Sequence, residues 1–182
     1  RELAKHYQWV EADSALTQAS TAIGEGEEFQ TVRTRLNKAR NDLEFQRELD
    51  EIRLRKSYSL DPQIRMEMAL EFLTAFRKHG LPMTIDRVDE NIRIIRESPI
   101  RDYLLDALDE LVGSDPDFVR RAPAWAVSCK VGTDPWRAKL ITHWMSAERM
   151  NKLYNETPLH ERTPMMSKIV GGTLYNLGVE NT

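Results

Sequence analysis

The sequence predicts an all-α fold of eight to ten helices, and three observations support this. Apolar residues recur at spacings of three and four along most of the chain, and no segment of five or more residues alternates like a β-strand. Six of the eight prolines directly follow Asp, Ser or Thr, a pair that is typical of helix starts. With 8 Gly and 8 Pro in 182 residues, the chain has few of the turn residues that a β-sandwich needs.

The six proline pairs predict where helices begin. A short polar side chain at the N-cap accepts hydrogen bonds from the first free amides, and proline suits the next position because its missing N–H would be unbonded there anyway. Gly80, Gly113 and Gly132 follow apolar or basic residues and predict three helix ends. The six pairs are Asp61-Pro62, Ser98-Pro99, Asp115-Pro116, Asp134-Pro135, Thr157-Pro158 and Thr163-Pro164.

One long helix is predicted near residues 27–58. Neither Gly nor Pro occurs between Glu27 and Asp61, and apolar residues recur at helical spacing from Phe29 to Leu43. The apolar stripe then shifts to a second set that begins at Phe45. A helix of this length in a small protein is typical of a connector or of a coiled-coil segment.

Shorter amphipathic helices are predicted along the rest of the chain. Residues 116–131 also read as helical, with a break or kink expected at Pro123. The remaining helical patterns run over Met66–Phe76, Val88–Ile95, Ile100–Leu111, Trp136–Trp144, Ala147–Asn155 and Met165–Leu177.

Composition excludes several classes of protein. The 26 Lys and Arg residues nearly balance the 29 Asp and Glu residues, and the net charge of −3 gives no general basis for binding nucleic acid. The single cysteine, Cys129, excludes a disulfide framework and any cysteine-rich metal site, and its apolar neighbours predict a buried thiol. No run of about 18 apolar residues occurs, so we expect no insertion into a membrane.

Catalytic and metal-binding patterns are weak in this sequence. His160-Glu161 begins like a zinc-protease motif, but Pro164 stands where the second histidine is required. The glycine-rich loop and the catalytic motifs of a protein kinase are also missing. We therefore expect no catalytic residue, no cofactor and no metal ligand in this chain.

Five segments together resemble one protein family. In planctomycete-type bacterial Ser/Thr kinase–TPR proteins, a kinase domain is followed by a helical region and then by tetratricopeptide (TPR) repeats, and this chain is similar to that helical region. The segments keep their order over about 100 residues, and Asp134-Pro135-Trp136-Arg137 is the most distinctive of them. They are residues 39–56, 75–81, 92–101, 105–109 and 134–137.

The resemblance implies a non-catalytic helical scaffold with TPR-like helical-hairpin packing. Residues 1–60 would form a TPR-like helix and a connector helix, residues 61–157 a family-specific domain, and residues 158–182 the first helix of a further repeat. Asp134 and Pro135 would start a helix, Trp136 would anchor the core, and Arg137 would pair with an acidic neighbour. We expect the chain to be a segment of a longer bacterial protein, in the cytoplasm or on one face of the inner membrane.

The expected partners are proteins or peptides, foremost the neighbouring kinase and TPR domains, and self-association is also expected. Two alternatives come from the residues themselves. Residues 27–58 favour a coiled-coil oligomerisation module. A set of carboxylates near one helix face favours a cation-binding domain, because hard cations prefer oxygen ligands. These carboxylates are Asp102, Asp106, Asp109 and Glu110.

The role of Trp136 can be tested by truncation. If the indole is a buried anchor, Trp136→Ala should lower the free energy of unfolding by about 3–5 kcal/mol, measured by urea denaturation. A loss below about 0.5 kcal/mol is typical of surface positions, and it would instead indicate an exposed ring with a binding role.

Overall fold

The computed structural model describes residues 2–23, 26–56, 61–115, 117–132, 139, 147–158 and 160. Within these residues the chain forms seven α-helices and no β-strand, which confirms the predicted all-α class. The chain divides into two compact units, unit 1 (Arg1–Leu54) and unit 2 (Arg55–Thr182). The predicted helices over residues 136–144 and 165–177 lie outside the described residues.

Unit 1 is built from two long helices. Helix α1 spans Glu2–Ala22, and helix α2 spans Gln30–Lys56 after a short 3-10 turn at Glu27–Phe29. The long helix predicted near residues 27–58 is therefore confirmed. Arg40 of α2 donates a hydrogen bond to the Leu16 carbonyl of α1 over 3.4 Å, which ties the two helices together.

Helix α2 uses different faces in its two halves. Leu36 and Leu43 are half-buried, whereas Phe45, Leu49 and Ile52 are buried. At 3.6 residues per turn, the second set lies about half a turn around the helix from the first. The shift of the apolar stripe that the sequence predicts is thus a change of the face that packs.

Unit 2 is a cluster of helices around α5. Helix α5 packs against α3, α4 and α6, and α4 also packs against α6. Leu104, Leu108 and Leu111 of α5 are at most 2% exposed, so this helix lies at the centre of the core. The helices of unit 2 are α3 (Pro62–Lys78), α4 (Val88–Arg96), α5 (Arg101–Ser114), α6 (Phe118–Val131) and α7 (Ala147–Glu156).

The ends of α3 follow the sequence prediction closely. Asp61 is the N-cap, its side chain accepts a hydrogen bond from the Gln63 amide over 2.8 Å, and Pro62 is the first helical residue. At the other end Gly80 adopts a positive φ of 78°. The Leu81 amide then donates to the Phe76 carbonyl over 2.8 Å, which closes the helix as a Schellman motif.

The other described proline pairs depart from the predicted N-caps. Helix α5 begins at Arg101, two residues after Pro99, and the Ser98 hydroxyl accepts from the Ile100 amide. Thr157 instead closes α7, because its hydroxyl donates to the Leu153 carbonyl over 2.6 Å. Ser98 thus stabilises the turn before α5, and Thr157 stabilises the end of α7.

The Asp115-Pro116 pair is a clear correction. Asp115 ends α5, and the N-cap of α6 is Asp117, whose carboxylate accepts from the amides of Val119 and Arg120. The predicted N-cap at Asp115 is therefore wrong, and the cap lies two residues later, because the Asp115 carboxylate is instead ion-paired with Arg120.

Two interior positions also differ from expectation. Helix α6 runs from Phe118 to Val131 with Pro123 inside it, so of the expected break or kink at Pro123 the break is not observed. Gly113 lies within α5, one residue before the helix ends.

Among the described residues, no helix combines the length and apolarity that crossing a bilayer requires.

The central position of α5 can be tested by a matched pair of truncations. Leu108 is fully buried and Leu70 on α3 is 42% exposed. Leu108→Ala should lower the free energy of unfolding by about 2–5 kcal/mol, because it removes contacts and leaves a cavity. Leu70→Ala should cost less than about 1 kcal/mol in the same urea titration, and equal losses would contradict the core assignment.

Candidate functional site

The four carboxylates of the predicted acidic face do not share one environment. Asp102 and Asp106 are exposed, Glu110 is half-buried, and Asp109 is only 4% exposed. The Asp102 carboxylate lies 3.0 Å from the Arg101 guanidinium at the surface. The set is therefore split between solvent and the protein interior.

Asp109 is used in the contact between α5 and α6. Its carboxylate accepts a hydrogen bond of 2.6 Å from the hydroxyl of Ser128, which is itself 2% exposed. Each of the two buried groups thereby has a hydrogen-bond partner, and the bond fixes the position of α6 on α5. Within the described part of the chain, no group of three or more His, Cys, Asp or Glu side chains could hold a metal ion.

The segment Asp134-Pro135-Trp136-Arg137, predicted as a structural signature, lies outside the described residues. Cys129 is 6% exposed on α6, which confirms the predicted burial of the thiol.

The most organised polar cluster lies at the corner between α5 and α6. Asp115 is fully buried, and Arg120 binds its carboxylate in a bidentate arrangement, with Nε and Nη2 each 2.6 Å from an oxygen. The Asp117 amide also donates to Asp115 over 2.9 Å. These hydrogen bonds from Arg120 to Asp115 raise the pKa of the Arg120 guanidinium.

Two further arginines bond the carbonyls at the end of α5. Arg121 is 3% exposed, and it donates to the carbonyls of Val112 over 3.4 Å and Asp115 over 3.2 Å. Arg65 of α3 donates to the Gly113 carbonyl. Burial lowers the pKa of the Arg121 guanidinium, but an arginine remains protonated at neutral pH.

We call Arg65, Arg120 and Arg121 the arginine corner. The last carbonyls of a helix have no partner within the helix and carry partial negative charge, so guanidinium groups stabilise them. This corner is not among the features that the sequence predicts. The signal was present in Asp115-Pro116-Asp117 followed by two adjacent arginines, but Arg65 is distant in the sequence.

The arginine corner links backbone and side-chain groups of three helices. Its three guanidinium groups act as fixed donors to backbone and carboxylate oxygens. An arginine cannot serve as a general base in this protonated state. The corner therefore joins α3, α5 and α6.

A groove in unit 1 is a second candidate site among the described residues. It has a volume of about 360 Å³ and lies between α1 and α2. Its apolar lining is Trp9, Val10 and Leu43, and Val10 is 59% exposed. An apolar surface with a charged edge is typical of a contact with another protein. The charged residues of the lining are Asp13, Arg40, Glu44 and Arg47.

Comparison with known proteins finds no match: none with a family model, none with a curated protein and none with a solved structure.

The buried ion pair of the arginine corner can be tested by removing its acid. Asp115→Ala should lower the free energy of unfolding by about 2–3 kcal/mol, because it removes the acceptor of the bidentate bonds from Arg120 and of the bond from the Asp117 amide. The comparison variant Asp117→Ala removes the N-cap of α6 and a second carboxylate 3.9 Å from Arg120, and it should cost about 1 kcal/mol in the same urea titration. A smaller loss for Asp115→Ala than for Asp117→Ala would contradict this role of the pair.

Proposed function

We propose that this chain is a non-catalytic helical region that mediates protein–protein contacts in a bacterial Ser/Thr kinase–TPR protein. The proposal includes the finer architecture of eight to ten helices with TPR-like packing. Its partners are protein or peptide segments, foremost the neighbouring kinase and TPR domains. The site of action is the cytoplasm or one face of the inner membrane.

One observation of unit 1 carries the proposal. None of the described side chains of α1, residues 9–22, is buried, and none over residues 30–44 of α2 is buried either. Val10 and Val32 remain 59% and 45% exposed. Helices gain most of their stability from packing an apolar face, so this pair favours a role in which another protein segment completes the packing.

The polar residues of unit 2 agree with a non-catalytic role. The Asp109–Ser128 hydrogen bond and the Asp115–Arg120 pair both connect α5 to α6. Groups committed to such contacts hold helices in place rather than act on a substrate. This assignment concerns the described part of unit 2.

Four of the five family-like segments fall on or beside described helices. Residues 39–56 lie in α2, residues 75–81 end α3, residues 92–101 lead from α4 to α5, and residues 105–109 lie in α5. Their even distribution along α2 to α5 is compatible with a pattern that specifies helix packing. It is not the pattern of a local catalytic motif.

The coiled-coil alternative is less favoured. A coiled coil requires one apolar seam that repeats along the same face of the helix. In α2 the seam of Leu36 and Leu43 gives way to Phe45 and Leu49 about half a turn away. A seam along the full helix would therefore be interrupted in the middle.

A binding experiment tests the proposal. The chain should bind the kinase domain or the TPR region that flanks it in its parent protein, as measured by isothermal titration calorimetry. Val32→Asp should weaken that binding at least about tenfold, because it places a charge on the apolar surface of α2. Ile85→Asp, at an isolated and 76% exposed position of unit 2, is the matched control and should bind like the wild type.

The absence of binding by the wild-type chain to either flanking region would contradict the proposal. Equal binding by the two Asp variants would contradict unit 1 as the contact surface.

A further inference from the structure

The exposed side of α2 carries a regular stripe of alternating charge. Arg40, Glu44, Arg47 and Glu51 follow one another at spacings of four, three and four residues. At 3.6 residues per turn they lie within about 60° of one another around the helix, so they form one row. We call these four residues the charge stripe.

Three of the four residues of the charge stripe are exposed. The side chains of Arg47 and Glu51 are 63% and 60% exposed, and they lie 3.7 Å apart within the helix. Glu44 is exposed, whereas Arg40 is half-buried and donates one long hydrogen bond of 3.4 Å to the Leu16 carbonyl of α1. An exposed pair of this kind is weak and easily rearranged, because water competes for both charges.

The charge stripe is complementary to itself when it is reversed. Consider a second α2 that lies antiparallel to the first along the charge stripe. If the two-fold axis crosses the helices at the level midway between residues 45 and 46, then Glu44 of one copy faces Arg47 of the other. In the same register Arg40 faces Glu51, so all four positions meet an opposite charge. A two-fold interface requires a self-complementary surface, because both copies contribute the same residues to it.

Apolar surface lies directly beside the charge stripe. Arg40, Glu44 and Arg47 line the groove of unit 1 together with Trp9 and Val10. Apolar contact supplies most of the free energy of association, whereas charge pairs fix register and partner choice. The groove and the charge stripe therefore form one surface with both components.

We propose that two copies of this chain associate through antiparallel α2 helices, with the charge stripes paired and the Trp9–Val10 side of the groove covered. This self-association rests on the proposed role in protein–protein contacts, and it names a second copy of the chain as a partner. The balance of two acids and two bases favours this partner over a strongly acidic or basic peptide, which would leave like charges facing each other.

Charge reversal in the full chain tests the proposal. Sedimentation velocity at about 100 μM should show a dimer for the wild type, and Glu44→Arg or Arg47→Glu alone should raise the dissociation constant at least about tenfold. An equimolar mixture of the two variants should dimerise again, because each arginine then meets a glutamate. The control Lys38→Glu reverses an exposed charge roughly 150° away on the same helix, and it should dimerise like the wild type.

The double variant Glu44→Arg/Arg47→Glu gives a second readout. It should form dimers with itself but not mixed dimers with the wild type, because mixing places like charges opposite each other. Circular dichroism spectra of all variants should match the wild type, since the substitutions lie on the helix surface.

Three results would overturn the proposal: a monomeric wild type at about 100 μM, a dimer that neither single reversal weakens, or single-variant losses that the mixture does not restore. A chain that is monomeric alone but binds its flanking regions would overturn the self-association and leave the proposed function standing. A dimer that binds neither flanking region would overturn the proposed function and leave the self-association standing.

Discussion

The burial of α5 is the constraint on which unit 2 depends. Eight of its fourteen residues are buried, since α3, α4 and α6 all pack against it. A helix enclosed in this way ends where water has little access, so its last carbonyl groups need donors from the protein. Arg65 and Arg121 supply those donors, and Arg120 neutralises the buried carboxylate that follows the helix.

The same constraint explains the use of polar residues in unit 2. A buried polar group is costly unless it is hydrogen-bonded, and the bonds formed by Asp109 and Asp115 both join α5 to α6. Both carboxylates thus help to orient α6 on α5.

Unit 1 follows a different principle. Its helices are long, and over residues 9–22 and 30–44 no described side chain is buried. The apolar stripe of α2 also changes face between Leu43 and Phe45, so the two halves of one helix offer different surfaces. A helix of this kind suits contacts with more than one neighbour. In the proposed self-association the charge stripe supplies specificity, because a wrong register would place like charges opposite each other.

The sequence by itself determined the helical class, the long helix α2, and the start and end of α3, because these depend on local periodicity and on caps within a few residues. Only the tertiary structure decided the role of Asp115. Locally it reads as an N-cap, but the approach of Arg120 and the burial of the corner make it the acceptor of an ion pair. The acidic face likewise reads as one cluster on a single helix. In the structure α6 packs over Asp109 and buries it, whereas Asp102 stays exposed to solvent. Periodicity is a property of one segment, whereas burial depends on which segments meet, and that information is not local.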